Sequence, residues 1–492
     1  IYRHIYQKTS FMSVLNRLFF IAFLFLISCA KDNGDSPESE KPVVFAVETN
    51  GSQLPYMMVE TPETIQNEPK IAANLRVFLN KSLAHETPIG IEYRGSTSYR
   101  MSDKKSYGIE TWDAGGLDSP YSFLNFPEEE DYIFMGHVFR ASQNTVFDPS
   151  LMHHYIGHEM YRSMGRYASR TQWVDLEING VYMGVYQFME KLKRDKNRID
   201  IEKLTPLDTD AAAITGGYII KIDKTAGENG LGQPLAYFDN NWGDDALYTA
   251  NNSWRSQYDI FKQPITIAPY GAPYHPDQYL ETYFLYEYPK AADITNAQKE
   301  YIQGYIHDFE TALINDNFAT EPRTYTNYID LDSFVDFFII NEITGNIDGY
   351  RLSTYMHKQR GGKLKMGPIW DLNIGYAKQG RVPVTDWIAN YNVHISQDAW
   401  MVPFWWPRLL EDPIFKQALK SRWTTLRANT FSNASVLGRV TQTANYLKDN
   451  GAIDRNYNKW TGIAVDYDGE ISILKNYLEN RLQWMDQTIN NY

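Results

Sequence analysis

"NEITGNIDGYRLSTYMHK", residues 341–358, sets an acidic residue, Asp348, in a glycine-flanked turn between an apolar helical run and a strand-like run. After a turn at "QRGG" (359–362), "KLKMGPIWDLN" (363–373) brings a second strand and a second acid, Asp371, 23 positions beyond the first (371 − 348). Just upstream, "DSFVDFFIINEITG" (332–345) opens on an Asp-Ser cap and is apolar almost all round. That pattern predicts a buried helix, and a buried helix fixes the turn that follows it. Helix, acid, hairpin, acid is the unit from which the rest of the chain is read.

Working outward, "TNAQKEYIQGYIHDFETAL" (295–313) reads as another helix, and "GGYIIKID" (216–223) as a strand leading into a Gly/Asn/Asp/Trp-rich excursion to about residue 275. "QWVDLEINGVYMGVYQFMEK" (172–191) is a hairpin, because two alternating runs flank Asn179-Gly180, a pair that tolerates positive φ twice. "SLMHHYIGHEMYRSMG" (150–165) has helical spacing, with Ser150 as cap and Gly165 as stop. Nearer the N-terminus, "VVFAVET", "LPYMMVET", "ANLRVFL" and "PIGIEYRG" are strand-like runs bounded by turn residues, so this part is β-rich. Beyond about residue 404 the chain reads as helices, in "PRLLEDPIFKQALKSRWTTLRAN", "ASVLGRVTQTANYLKDN" and "EISILKNYLENRLQWMDQTI". The fold class is α+β, β-rich first and helical last.

Composition narrows the function. The 492 residues are 43% hydrophobic, enough for one large domain or a few ordinary ones. A formal net charge of −13 repels polyanions, and no basic stripe offsets it, so nucleic acid is set aside as a partner. The local cluster "KLKRDKNR" (191–198) reads as a solvated turn. From Met12 the chain runs "MSVLNRLFFIAFLFLISCAKDNGDSPESEKP", in which an apolar run from Leu18 to Ile27 is too short for a stable span but suits a secretory signal. Leu26-Ile27-Ser28-Cys29 looks like a lipobox, and Cys29 is the only cysteine in the chain, which rules out an intrachain disulfide and suits a lipid attachment point. The expectation is a signal at 1–29, with 1–11 an over-extended start, a polar tether at 30–42, a globular domain at 43–395 and a helical region at 396–492. The folded part would then sit outside the cytoplasm, held to the membrane of the cell envelope by its N-terminal lipid.

Several common sites are missing. "HHYIGHE" sets His154 and His158 four apart, yet Arg162 stands where HExxH needs its second histidine, so these histidines read as structural. There is no GxxxxGK[ST], no GxGxxG and no GxSxG. What remains beside the acids is "IEYRGSTSYRMSDKKSYGIET" (91–111), where Arg94, Gly95 and the hydroxyls of Ser96, Thr97 and Ser98 make a donor-rich turn ahead of Lys104-Lys105. Such a turn suits phosphate oxygens; a solvated hairpin is the alternative. Phosphoryl transfer asks a protein for Mg²⁺ to bridge phosphate oxygens, cations to hold them and a carboxylate to position the attacking hydroxyl. Two Asp separated by a short hairpin, with a donor-rich strand elsewhere, match that demand.

Taken in order, "RGSTSYRMSDKKSYGIE", "EINGVYMGVYQFMEK", "TGGYIIKID", "SFVDFFIINEITGNIDGYRLSTYMHK" and "GPIWDLN" resemble the CotH kinase family, whose founding members are bacterial spore-coat H proteins with an atypical protein-kinase-like fold. The resemblance spans roughly residues 50–395 and implies binding of ATP and Mg²⁺, with transfer of a phosphoryl group to Ser or Thr of an exported partner protein. Position by position it implies Asp348 as the catalytic Asp and Asp371 as the metal-binding Asp. It further implies Arg94, Ser96 and Ser98 near the phosphates, Lys104 or Lys105 as a phosphate-facing cation, Glu190 as the acid anchoring that lysine, and Trp370 stacked on adenine or packed in the core. The chain departs from the pattern twice. Asn373 stands where many members carry a second metal-binding acid, and Asp148-Pro-Ser-Leu-Met152-His153 replaces an aspartate followed by Leu-Arg-Asn. A different class stays open: a pseudokinase or aromatic-rich envelope protein binding glycan or protein through residues 234–288 and "WMVPFWWPRLL" (400–410).

Overall fold

The alternating N-terminal runs fold, in the computed structural model, into a closed barrel. The structure describes residues 48–95, 97–225, 248–270, 280–376, 380–396, 398 and 400–492. The barrel is built from β1 (Tyr56–Glu60), β2 (Ile71–Leu79), β3 (Ser82–Arg94), β4 (Ser106–Thr111) and β5 (Asp131–Met135); a short hairpin, β6 (Phe139–Arg140) with β7 (Thr145–Val146), precedes its last two strands, β8 (Thr171–Ile178) and β9 (Val181–Glu190). A five-residue helix, α1 (Thr97–Met101), links β3 to β4. Neighbours follow the order β1-β2-β3-β4-β5-β9-β8. Closure comes from a parallel pairing of β1 with β8, Tyr56 opposite Asp175 through Val59 opposite Ile178. The period of two sends Val59, Leu75, Ile89, Ile91, Phe134, Leu176 and Phe188 into the interior, and closing the ring leaves no edge to protect. The β8–β9 turn is the one expected, with Asn179 and Gly180 at φ 49° and 75°. Of "VVFAVET", residues 43–47 lie outside the described residues, and the remainder forms no strand.

Helix α2 (His153–Ser163) starts two residues later than a Ser150 cap would set it. Ser150 does not cap it. Its hydroxyl donates to Asp148 at 2.6 Å, and the second Asp148 oxygen accepts from the His153 backbone N–H at 2.8 Å, so the stronger, charged acceptor takes the cap.

The second sheet holds β10 (Tyr218–Ile222), β11 (Ser253–Arg255), β12 (Tyr283–Tyr288), β13 (Thr354–Lys358) and β14 (Leu364–Met366), in the order β11-β12-β10-β13-β14. Against it packs α3 (Asn296–Ile314), whose capping box pairs Thr295 with Gln298, and α4 (Leu331–Thr344), capped by Asp330 rather than by the expected Asp332-Ser333. Twelve of the fourteen residues of α4 are buried, as its all-round apolar pattern requires. The C-terminal part contributes α5 (Tyr391–His394), α6 (Trp405–Leu409), α7 (Pro413–Arg427), α8 (Asn433–Asp449), α9 (Ala452–Lys459) and α10 (Tyr467–Ile489). The eight-residue α9, which buries Ala452, Ile453 and Asn456, is too short and polar to stand among the runs read as helices from the sequence. Trp405 and Trp406 are 0% and 1% exposed and fill the core, while Trp400, 7% exposed, lines a cleft, so most of this aromatic stretch is core and not a sugar-binding face. In the other aromatic stretch, residues 234–247 and 271–279 lie outside the described residues, while Tyr248, Trp254, Tyr283 and Tyr286 are buried. The described residues form one compact unit in which no helix is long and apolar enough to cross a membrane.

Candidate functional site

A cleft of about 830 Å³ opens between the end of β3 and the inner strands of the second sheet. Arg94, Gly95 and Ser98 line it from the barrel side; Lys221 and Asp223 come from β10 and the residue after it; Asp348, Ser353, Trp370, Asp371 and Asn373 come from the turn and hairpin that follow α4. The two acids picked out in the sequence thus meet in one cavity. Ser96 lies outside the described residues, as does Cys29.

The Asp348 turn is held from below. Gly349 is required there, because a Cβ would come within 2.1 Å of the Asn341 side-chain oxygen. Arg351 donates to Asp348 at 2.7 Å and to the backbone carbonyls of Ile347 and Trp400, with Asp398 at 3.4 Å and the Tyr391 ring 4.4 Å away. A guanidinium tied at that many points orients the carboxylate as well as neutralising it.

Asp371 sits in left-handed backbone at φ 52°, and Ser353, which donates to it at 2.9 Å, is also left-handed at φ 46°. Two non-glycine residues in that region, one just before β13 and one beyond β14, mark strain that the surrounding packing has to hold. Ser353 also reaches Asp223 at 3.4 Å, so one hydroxyl bridges two carboxylates. Burial pushes the Asp371 carboxyl up, and Asp223 and Asp348 push it further while Ser353 opposes them. The Asp371 carboxylate therefore bears the repulsion of two others that line the same cleft, a charge that a hard divalent cation would relieve.

Other expected residues lie elsewhere. The Lys104 ammonium is buried at the inner end of the barrel, donating to the carbonyl of Val185 and, at 2.8 Å, to Asn456, over the ring of Tyr186; burial lowers its pKa to about 7. Lys105 donates to the carbonyl of Tyr99 at 2.5 Å. Neither lysine lines the cleft, so the phosphate-facing cation has to be sought elsewhere. Glu190 anchors no lysine either: it is fully buried between Arg170 at 2.8 Å and Arg198 at 3.0 Å. Trp370 does line the cleft, with the Arg94 guanidinium 5.6 Å from its ring and His158 stacked at 6.2 Å, and it also packs with Ile219 and Tyr355. Asn373 lines the cleft, its backbone carbonyl 3.3 Å from His153 Nδ1.

The basic cluster at 191–198 has a structural task. Glu129, Glu130 and Asp131 bring oxygens within 4.8 Å of one another, as a metal site would. The Lys193 ammonium already occupies their focus, at 2.7, 2.6 and 3.0 Å.

Sequence reasoning missed Asp223 and Lys221. The signal was present in "YIIKID", where a period of two puts residues 221 and 223 on the same face, opposite the buried Ile220 and Ile222.

With this geometry in hand, a family model described as CotH kinase protein matches residues 91–485. No curated protein matches the chain.

Proposed function

Because the chain belongs to the CotH kinase family, we propose that the cleft binds ATP with Mg²⁺ and transfers the γ-phosphoryl group to a Ser or Thr hydroxyl of a protein acceptor, on a scaffold that is kinase-like in the sense that a β barrel and a second sheet backed by helices flank one cleft. The observation that carries this reading is the convergence of Asp223, Asp348 and Asp371 in a single cavity that also holds Arg94 and Trp370.

Asp371 and Asp223 would hold the metal, with Asn373 offering a neutral oxygen; bound there, Mg²⁺ supplies charge neutralisation at the phosphate oxygens. Asp348, oriented by Arg351, accepts the proton of the attacking hydroxyl as its oxygen bonds to phosphorus and the bond to the ADP oxygen breaks. Arg94 is placed to meet phosphate charge, and the Trp370 indole offers an apolar face to a base.

We place the protein outside the cytoplasm, lipid-anchored through Cys29 and acting on an exported partner. The support is the lipobox-like run ending at Cys29. Replacing Cys29 by Ser is expected to abolish fatty-acid labelling.

Titration calorimetry of residues 43–492 with ATP, with and without Mg²⁺, tests the site. Metal-dependent binding that disappears in Asp371→Ala, and phosphorylation that disappears in Asp348→Asn while ATP still binds, are the expected results. A folded protein that ignores millimolar ATP would shift the reading to a pseudokinase or an envelope-binding protein.

A further inference from the structure

With Lys104 and Lys105 turned away, the cleft needs another cation for the phosphates, and Lys221 stands in the right place. On β10, Tyr218, Ile220 and Ile222 are buried in the main core, which leaves Ile219 and Lys221 on the opposite, cleft-facing side. Ile219 joins Leu192, Ile199, Ile201 and Tyr355 in a small apolar platform against which Trp370 packs. Lys221 rises beside that platform, its ammonium 5.5 Å from the Tyr355 ring centre. It is 3.4 Å from an oxygen of Asp223 and 3.4 Å from an oxygen of Glu287.

The β10–β12 ladder explains how Glu287 reaches it. Lys221 pairs with Leu285 and Ile220 with Tyr286, but Ile219 pairs with Tyr288, so Glu287 is the extra residue of a β-bulge. Bulges of this kind re-aim a side chain beside a functional site. Glu287 is itself held from its other side by Lys290 at 2.6 Å. The result is a preoriented ammonium with three donors and two carboxylate neighbours, lining the same cleft as Asp371 and Arg94.

We propose that Lys221 is the cation that grips the phosphate chain in this cleft, with Glu287 as the residue that positions it. The inference rests on the nucleotide reading above for its ligand, and on the Lys221–Glu287 geometry for its residue. A loss of one charge-assisted bond to phosphate corresponds to about tenfold to a hundredfold in affinity.

The test measures binding of Mg-ATP, adenosine and Mg-tripolyphosphate by the wild type, Lys221→Met, Lys221→Arg and Glu287→Gln, with thermal unfolding of each. The expected result is that Lys221→Met weakens ATP and tripolyphosphate by about tenfold or more and leaves adenosine unchanged. Lys221→Arg, which keeps the charge and guards against a misfolded methionine variant, is expected to retain part of the affinity, and Glu287→Gln to weaken the two phosphate ligands less than Lys221→Met does. Equal ATP and tripolyphosphate affinity in wild type and Lys221→Met would overturn the assignment while leaving the nucleotide site intact. Tripolyphosphate binding that depends on Lys221 in a protein that ignores ATP would support the assignment and overturn the kinase reading instead. No binding of either phosphate ligand by the folded wild type would overturn both.

Discussion

Asp223 and Asn373 both line the cleft, one a carboxylate and the other a neutral amide. If Asp223 supplies the second carboxylate that Asn373 lacks, Asp223→Asn weakens Mg²⁺-dependent ATP binding by about tenfold or more, and adding Asn373→Asp to that variant restores part of the loss. Calorimetry of the single and double variants decides it, and a double variant no better than Asp223→Asn would show that position 373 does not reach the ligand. Asp348 and Asp371 were legible in the sequence because a hairpin joins them and local spacing places both. Asp223 was not, since its place depends on β10 pairing with β13 across more than a hundred residues, Ile222 opposite Thr354. Lys104 was misplaced for a related reason: adjacent lysines before a strand look alike in sequence, and only the closed barrel turns one of them inward to Val185 and Asn456.

At the scale of elements, α2 joins the barrel to the cleft through a cluster of histidines around one acid. His137, His154 and His158 are 3%, 4% and 0% exposed, and neither nitrogen of His137 or His158 finds a hydrogen-bond partner among the described residues. Burial lowers the pKa of His137 to about 3 and that of His154 to about 4, despite Asp148 nearby. In the unfolded chain a histidine titrates near 6.5, at about 1.4 kcal/mol per pH unit and per group. Below that pH the unfolded state takes up protons that the folded one refuses, so this contribution to stability is intact above about 6.5 and is lost as pH falls towards 4. Urea unfolding at pH 7, 6 and 5 is expected to show stability declining, with a shallower decline in a His137→Leu/His154→Leu variant. An unchanged slope in the variant would place the acid sensitivity elsewhere. The sequence announced α2 by its spacing but not its start, because Asp148 lies five residues before the helix contact it makes, and barrel closure was invisible because it needs β1 beside β8, 119 positions apart by the pair Tyr56–Asp175 (175 − 56).

For the molecule as a whole, the question is whether the C-terminal helices are an appendage or part of the site. Arg481 of α10 is fully buried and donates to Glu342 of α4 through both its carboxylate, at 2.7 Å, and its backbone carbonyl, at 2.7 Å; it also reaches the carbonyls of Val384 and Asp386. The same Glu342 carboxylate accepts from Tyr350 at 2.9 Å, two residues beyond Asp348, and from the backbone N–H groups of Ile388 and Ala389. The last long helix thus supports the Asp348 turn through a single buried acid. Breaking one partner of a buried ion pair strands the other, at a cost of about 3–5 kcal/mol. Arg481→Ala is therefore expected to lower unfolding free energy by that amount in urea titration, with Arg481→Met/Glu342→Leu losing less, since an apolar pair leaves no charge stranded. If Arg481→Ala were as stable as the wild type, α10 would be an appendage. The same reasoning makes a chain cut at residue 395 unable to fold, because Trp405, Trp406, Trp423, Leu478 and Leu482 belong to the same core as Phe334, Phe337 and Phe338 of α4.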